Sequence, residues 1–406
     1  MIALHVLVTA LGVALGVLYP FISVILVDFG FSPGEIGLIS SLGAVGFTIA
    51  VPAWGHLADV RLGRPRTLQI CSLGAGAAVA ALLLSWPAPL IVVLFALFWI
   101  FESCWQPLAD AVTVNALRGR DYARVRLFTS LGFAVAAIAS GFAYDRFGYA
   151  PAFGLFAGAA VVMAISAAFL PDVARADLSA HRRRSSAPEG GSARRTFSFG
   201  SSGVALQVAP RLVAVLLASG LLHVGIISGF TFLPLRIAAL GGAPSDIALS
   251  SGLSAGSEIP AMLVMGAVAR RIGLRAIFVG SAGLYAVCLA SWTVLDVPLA
   301  IVVTRAVTGV AFSGVVIGVV LTIATLLPPE LQATGQSLFQ TSAFGVAAIF
   351  ANVVGGWLYQ SAGHVAVFGL GAVLALVAAG IGWFAFPRSP GPSPGSLNQP
   401  DRSLRP

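Results

Sequence analysis

Twelve apolar segments, six on either side of one long hydrophilic stretch, set the terms for this 406-residue chain. The stretch runs from Asp172 to Ala209. It carries Arg175, Arg182, Arg183, Arg184, Arg194 and Arg195 around a Ser/Gly/Pro-rich middle. It shows no helical or strand period, and its composition suits a solvated linker. The apolar segments are read at about 2–27, 35–57, 66–86, 89–115, 123–145 and 149–171, then at about 210–236, 245–269, 274–295, 297–327, 331–360 and 363–386. Each approaches or exceeds the roughly 20 helical residues that cross a hydrocarbon core of about 30 Å. None alternates like a barrel strand, so helix is the spanning form that remains. The expectation is an all-α membrane protein of twelve transmembrane helices in two bundles. Residues 1–171 form the first, 172–209 the linker, 210–386 the second, and 387–406 a disordered tail.

Composition excludes a soluble protein. The chain is 58% hydrophobic and 9% charged, where a soluble domain carries about 25% charged residues. The lipid bilayer must therefore be the solvent for most of it, and the net charge of +8 is no sign of nucleic-acid binding. All 23 basic residues are Arg. Arg61, Arg64 and Arg66, then Arg118, Arg120, Arg124 and Arg126, then Arg270, Arg271 and Arg275 fall on the linker's face with twelve spans. The tail adds Arg388, Arg402 and Arg405, and only Arg146 and Arg236 remain for the other face. The positive-inside rule then puts both termini and the linker in the cytoplasm, with the spans in the cytoplasmic membrane. Trp86 and Trp292 read as interfacial anchors; ordinary lipid-facing packing is the alternative. Cys71, Cys104 and Cys288 all lie in apolar segments and read as packing residues, without metal-ligand spacing. The N-terminus lacks a basic n-region, and its apolar run is too long for a signal peptide.

The two halves repeat. Gly141-Phe-Ala-Tyr144 through Phe153-Gly154-Leu155 and Gly356-Trp-Leu-Tyr359 through Phe368-Gly369-Leu370 share six of fifteen positions at an offset of 215. Repeated halves are a transporter signature, with the binding site between them near the midplane.

The most specific motif is Gly55-His-Leu-Ala-Asp59-Val-Arg61-Leu-Gly63-Arg64-Pro-Arg66. Gly55 is suited to a close helix approach, Asp59 to capping a neighbouring helix or pairing with Arg, and Gly63 to a tight turn. A generic basic loop is the alternative. The motif resembles the loop between helices two and three of the major facilitator superfamily. A weaker copy without the acid, Gly266 to Arg275, stands in the second half. Pro107-Leu-Ala-Asp110, the run Arg124-Val-Arg126 to Gly132-Phe133, and Gly256-Ser-Glu258-Ile-Pro260 further resemble the oligosaccharide/proton symporter and phenylpropionate permease branch. The last stretch also resembles sugar efflux transporters. The resemblance implies the major facilitator fold, alternating access, and a conformational latch at Gly55, Asp59, Gly63 and Arg64. It also implies that Asp110 and Arg126 contact substrate and that Glu258 serves binding and coupling.

Ionisable residues inside a span are functional candidates by default. Here they are Glu102, Asp110, Glu258, Arg305 and His223. A carboxyl in an apolar site holds a proton more readily than one in water, which makes Glu258 the first candidate for proton carrier and Glu102 the second. Each has a structural alternative: an Asp110–Arg126 brace, a Glu258 packing bond beside Pro260, a packed Glu102, a satisfied bundle histidine at His223, and an Arg305 that snorkels outward. Tyr19, Trp105 and Phe230 read as packing, with stacking on a substrate ring as the alternative. Gly12-x-x-x-Gly16 and Gly314-x-x-x-Gly318 read as close helix contacts. Lactose permease-like sequences carry a His and a second Glu on helix ten, where Thr308 and Ala311 stand here. They also carry an Arg on helix nine, where no charge is seen. The helix-four Arg of drug/proton antiporters is absent too.

The expected function is secondary active transport of a small organic solute (a sugar, glycoside or aromatic acid), by proton symport. The alternative is efflux of sugars or drugs, and a third class is a sensor or membrane enzyme on the same fold. No cofactor, metal or phosphate-binding loop is expected, and the protein is expected to act as a monomer.

Overall fold

The computed structural model describes residues 1–117, 122–170 and 199–388, with the backbone alone at 115–117, 122–124, 126 and 199–201. Twelve spanning helices lie among the described residues. The first half holds α1 (Ile2–Asp28), α2 (Pro33–Leu62), α3 (Arg64–Ala81), α4 (Ala88–Glu102 and Trp105–Leu117), α5 (Tyr122–Phe147) and α6 (Ala150–Ala168). The second holds α7 (Arg211–Ala239), α8 (Pro244–Ile272), α9 (Leu274–Val294), α10 (Pro298–Leu326), α11 (329–362) and α12 (364–385). Length and hydropathy alone single out ten spans. The count reaches twelve because Pro329–Ala385 breaks at Gly363 and because α3 carries Arg64, Pro65 and Arg66 in its first turn.

The repeat is visible in the backbone. Among the described residues, six glycines have positive φ: Gly30, Gly63, Gly148, Gly241, Gly273 and Gly363. They pair across the halves as Gly30 with Gly241, Gly63 with Gly273, and Gly148 with Gly363. Each pair shares one interhelix turn. Gly63 (φ 83°, ψ 152°) and Gly273 (φ 88°, ψ 157°) even share a region of backbone space nearly reserved for glycine. The loop motif and its weak copy therefore turn the chain identically, although only the first has an acid.

Within the first half, Gly12 and Gly16 of α1 stand against the α5 backbone at Thr129 and Phe133, as their spacing predicts. Gly314 packs on Ser281 and Gly318 on Phe278 of α9 in the same manner. Three spans are irregular near mid-membrane: α11 widens over Thr341–Val346, and α1 and α4 change at prolines. Pro20 supplies no amide donor, and α1 tightens over Tyr19–Phe21. The Val17 carbonyl beside this kink accepts the Tyr144 hydroxyl of α5 at 2.8 Å. In α4 the helix breaks at Ser103–Cys104, where Pro107 can donate nothing to the Ser103 carbonyl.

The halves meet on the face opposite the linker. Gly37 and Gly356 bring α2 and α11 together, and Gly141 abuts Pro244, Ser245 and Ala248 where α5 meets α8. The α2–α11 contact continues as far as Thr48 and Gly345, and the α5–α8 contact as far as Gly252 and Ile138. Towards the linker face the halves part, and a side chain at Gly55 or Gly256 would meet open space. The central cleft thus opens to the linker face.

Three expectations change. The close helix approach at Gly55 is not made in this conformation: no neighbouring helix stands within 4 Å of where its side chain would be. Trp292 is no interfacial anchor: it is 1% exposed, gives its indole N–H to Thr304 at 2.7 Å, and packs edge-on against Phe368. Trp86 remains partly exposed at its span end. The hydrophilic stretch is not wholly without period, because Phe199–Val208 forms a helix. It buries Ala205 and, with Leu206, packs beside the start of α11. The polar majority upstream hides this short helix from a composition argument. The rest of the linker and the tail lie outside the described residues.

Candidate functional site

Two polar clusters face the cleft, one from each half. Glu102 and Glu258 stand at equal depth, each the fifteenth residue of its span counted from the face where the halves touch.

The first cluster sits where two helices are irregular. Glu102 closes the first segment of α4, and Tyr19 opens the tight turn of α1. The Tyr19 phenol pairs with the Glu102 carboxyl group and with the Trp99 indole. The thiols of Cys71 and Cys104 lie alongside. Trp54 of α2 reaches the same level and donates to the Ile100 carbonyl at 2.9 Å. Every partner of Glu102 seen among the described residues is neutral. Helices interrupted at depth are tolerated where they line a cavity, because the freed backbone groups find partners there.

The second cluster is charged and rests on regular helices. Arg305 of α10 points inward, not outward to headgroups. Its guanidinium lies 5.9 Å from the Trp292 ring centroid and gives a hydrogen bond to Thr308 at 3.1 Å. Its charge acts on Glu258 and on the Tyr285 hydroxyl. The α8–α10 contact is tight here: Gly309 faces the Ser254 carbonyl, and Ser313 donates to the Glu258 carbonyl at 3.1 Å. The Arg305 Nε is buried with no hydrogen-bond partner. A half-buried guanidinium with spare donors is suited to hydroxyl or carboxylate oxygens of a solute.

Tyr285 was not among the sequence candidates. It is an uncharged residue in an apolar segment, so nothing in the sequence sets it apart from packing. Tyr19, read as packing from the sequence, belongs to the first cluster.

The remaining candidates are placed elsewhere. His223 is fully buried between α7, α10 and α11, ringed by Phe312, Phe339 and Phe344. Its Nδ1 lies 2.8 Å from the Ser219 carbonyl, while Nε2 has no partner. Asp110 accepts from the Gln106 amide at 2.8 Å, and the Arg126 side chain lies outside the described residues. Trp105 is sealed against Phe156, with rings 5.5 Å apart. Asp59 pairs with Arg64 at 3.2 Å across a wide turn over Ala58–Leu62, and Gly63 closes that turn by donating to the Ala58 carbonyl at 2.9 Å. No group of three or more metal-ligating side chains occurs among the described residues.

Comparison with known proteins agrees with this architecture. The chain is 30% identical to maltose permease of Geobacillus stearothermophilus over 354 residues, 86% of this chain and 84% of that one. It is 32% identical to the uncharacterized transporter YwbF of Bacillus subtilis (strain 168) over 129 residues, 31% of this chain and 32% of that one. Among solved structures, a mutant of the nucleoside transporter NupG superposes with a TM-score of 0.81 at 16% identity, covering 95% of this chain and 99% of that one. A mutant of the peptide transporter POT superposes with a TM-score of 0.68 at 14% identity, covering 94% and 92%. At those identities the structures speak for the fold alone. The family model described as "MFS_1 like family" matches residues 11–370, and with two six-helix halves around a polar cleft this chain belongs to that family of major facilitator transporters.

Proposed function

We propose that this transporter takes up a small hydroxyl-rich solute, a sugar or glycoside, across the cytoplasmic membrane together with a proton. The observation that carries the reading is the pair of unlike clusters at one depth in the cleft. Glu258 and Arg305 offer opposite charges and spare donors, which suits the alternating hydroxyls of a sugar. Glu102 has only neutral partners among the described residues, which suits a group whose charge must come and go. A carboxylate beside a guanidinium is balanced already. One beside a phenol and thiols is balanced by taking a proton, so Glu102 replaces Glu258 as the first candidate for proton carrier. Similarity to a maltose permease supports the sugar class. The arginine bias supports a cytoplasmic linker face, which makes the conformation described above inward-open.

Alternating access then follows from the contacts. The halves rock about the central site, closing the linker face and parting α2 from α11 and α5 from α8. Asp59 and Arg64, paired within their loop here, become available to engage the other half when that face closes.

The test is proton flux in proteoliposomes with a trapped pH dye, offering maltose, other glycosides, nucleosides and aromatic acids in turn. A sugar that drives acidification in the wild type and not in Glu102→Gln supports the reading. Sugar movement with unchanged acidification in Glu102→Gln removes the role given to that residue. Flux only of non-sugars refutes the substrate class. The Glu258–Pro260 stretch also resembles efflux transporters, and the direction of net movement under an imposed proton gradient separates efflux from uptake.

A further inference from the structure

The face where the halves touch is fastened by two matching hydrogen bonds. Both α2 and α8 begin there with Pro at the first helical position, and each leaves an amide at the second position without a helical partner. In α2 that amide belongs to Gly34, and it donates to the side-chain oxygen of Gln360 on α11 at 3.0 Å. In α8 it belongs to Ser245, and it donates to the carboxylate of Asp145 on α5 at 2.9 Å. Asp145 and Gln360 are equivalent positions of the internal repeat, each four residues after the glycine that permits the close approach. The preceding amides are served from within their own helices: Ser32 N–H by Glu35 at 2.9 Å and Ala243 N–H by Asp246 at 2.8 Å. At both junctions, then, a helix start is half satisfied by its own half and completed by the other.

We infer that Asp145 and Gln360 are paired latches of the face opposite the linker, each holding one helix start of the other half, and that they set how readily that face opens. The inference rests on the alternating-access reading and on no particular solute or coupling ion. Because the latches are hydrogen bonds to single exposed amides, opening exchanges each for water at modest cost. A gate must be able to do this repeatedly. The two are unequal. Asp145 presents a carboxylate to a positive helix end, while Gln360 presents a neutral amide oxygen. Removing Asp145 is expected to raise the population open on that face by about tenfold, and removing Gln360 by about threefold.

The experiment is double electron–electron resonance between labels at Phe147→Cys on the first half and Val297→Cys on the second, both exposed on that face. The three native cysteines are free and buried, so surface labelling is selective. No substrate is added, so failure of the solute assignment leaves this test intact. A shift towards the longer distance in Asp145→Ala and Gln360→Ala, additive in the double variant and absent in Asp145→Asn with Gln360→Glu, supports the latches. An unchanged distribution in both alanine variants overturns them. So does an equal shift in the acceptor-retaining pair, because bulk and not the hydrogen bond would then be at work. If the double variant does not fold, the two singles decide.

Discussion

The two halves share a backbone and differ in chemistry. Their turns fall on matching glycines and their spans correspond one to one, yet the ionisable cluster of the first half is neutral around one carboxyl, at helix breaks. That of the second is an opposed pair on unbroken helices. A repeat fixes where side chains reach the cleft, and leaves open what they do there. The difference between the clusters is therefore where specificity and coupling can diverge without disturbing the fold.

The largest expected effect strikes the charged cluster. Arg305→Leu removes the positive charge that acts on Glu258 and Tyr285 together with the donor to Thr308, and is expected to cost about 1–3 kcal/mol of stability. Adding Glu258→Gln should recover much of that loss in thermal unfolding. If the double variant is no more stable than the single one, the two residues do not act as a pair. In the neutral cluster, Glu102→Gln removes a possible proton site and should fold normally. At a membrane potential of about 100 mV, one proton contributes about 2.3 kcal/mol, so solute accumulation should fall about 50-fold while counterflow persists. Accumulation at wild-type levels would make the two clusters functionally alike after all.

The shared backbone can be tested too. Gly63→Ala and Gly273→Ala both force a side chain into glycine-only backbone space, at a cost of order 1–3 kcal/mol each. Similar losses in melting temperature would show that the turns are equivalent; a loss only at Gly63 would place the strain in the acidic motif. The smallest effects separate the repeat tyrosines. Tyr144→Phe removes the hydrogen bond to the Val17 carbonyl at the α1 kink, at about 1 kcal/mol. Tyr359, its mate, stacks on Phe232 at 5.7 Å, and Tyr359→Phe should stay within about 0.5 kcal/mol.

The spans were legible because a membrane demands about 20 apolar residues in a row, and that demand is written in composition. Their ends moved by only a few residues, since Pro33, Pro244 and Pro298 mark the starts. The repeat was legible at Gly141 and Gly356, and these turned out to carry the contact between the halves. The helix breaks at Tyr19 and Glu102 were not anticipated, although Pro20 and Pro107 signalled them. A proline within a span is read as tolerable until its neighbours are known. Trp292 misled because its place near a span end says nothing about which neighbour covers it. Nor could the sequence say that Arg305 turns inward, because the same side chain reaches headgroups or a cleft with equal ease.

The helix at Phe199–Val208 has a consequence for where the protein divides. Composition puts the second half at residue 210, but this helix already rests on the start of α11. A gene cut in two at residue 210 would strand it on the wrong fragment and uncover the surface that Ala205 seals. Cut ahead of Phe199 instead, the chain yields two polypeptides that each keep their own buried surfaces. Expressed together, these are the fragments expected to find each other in one bilayer.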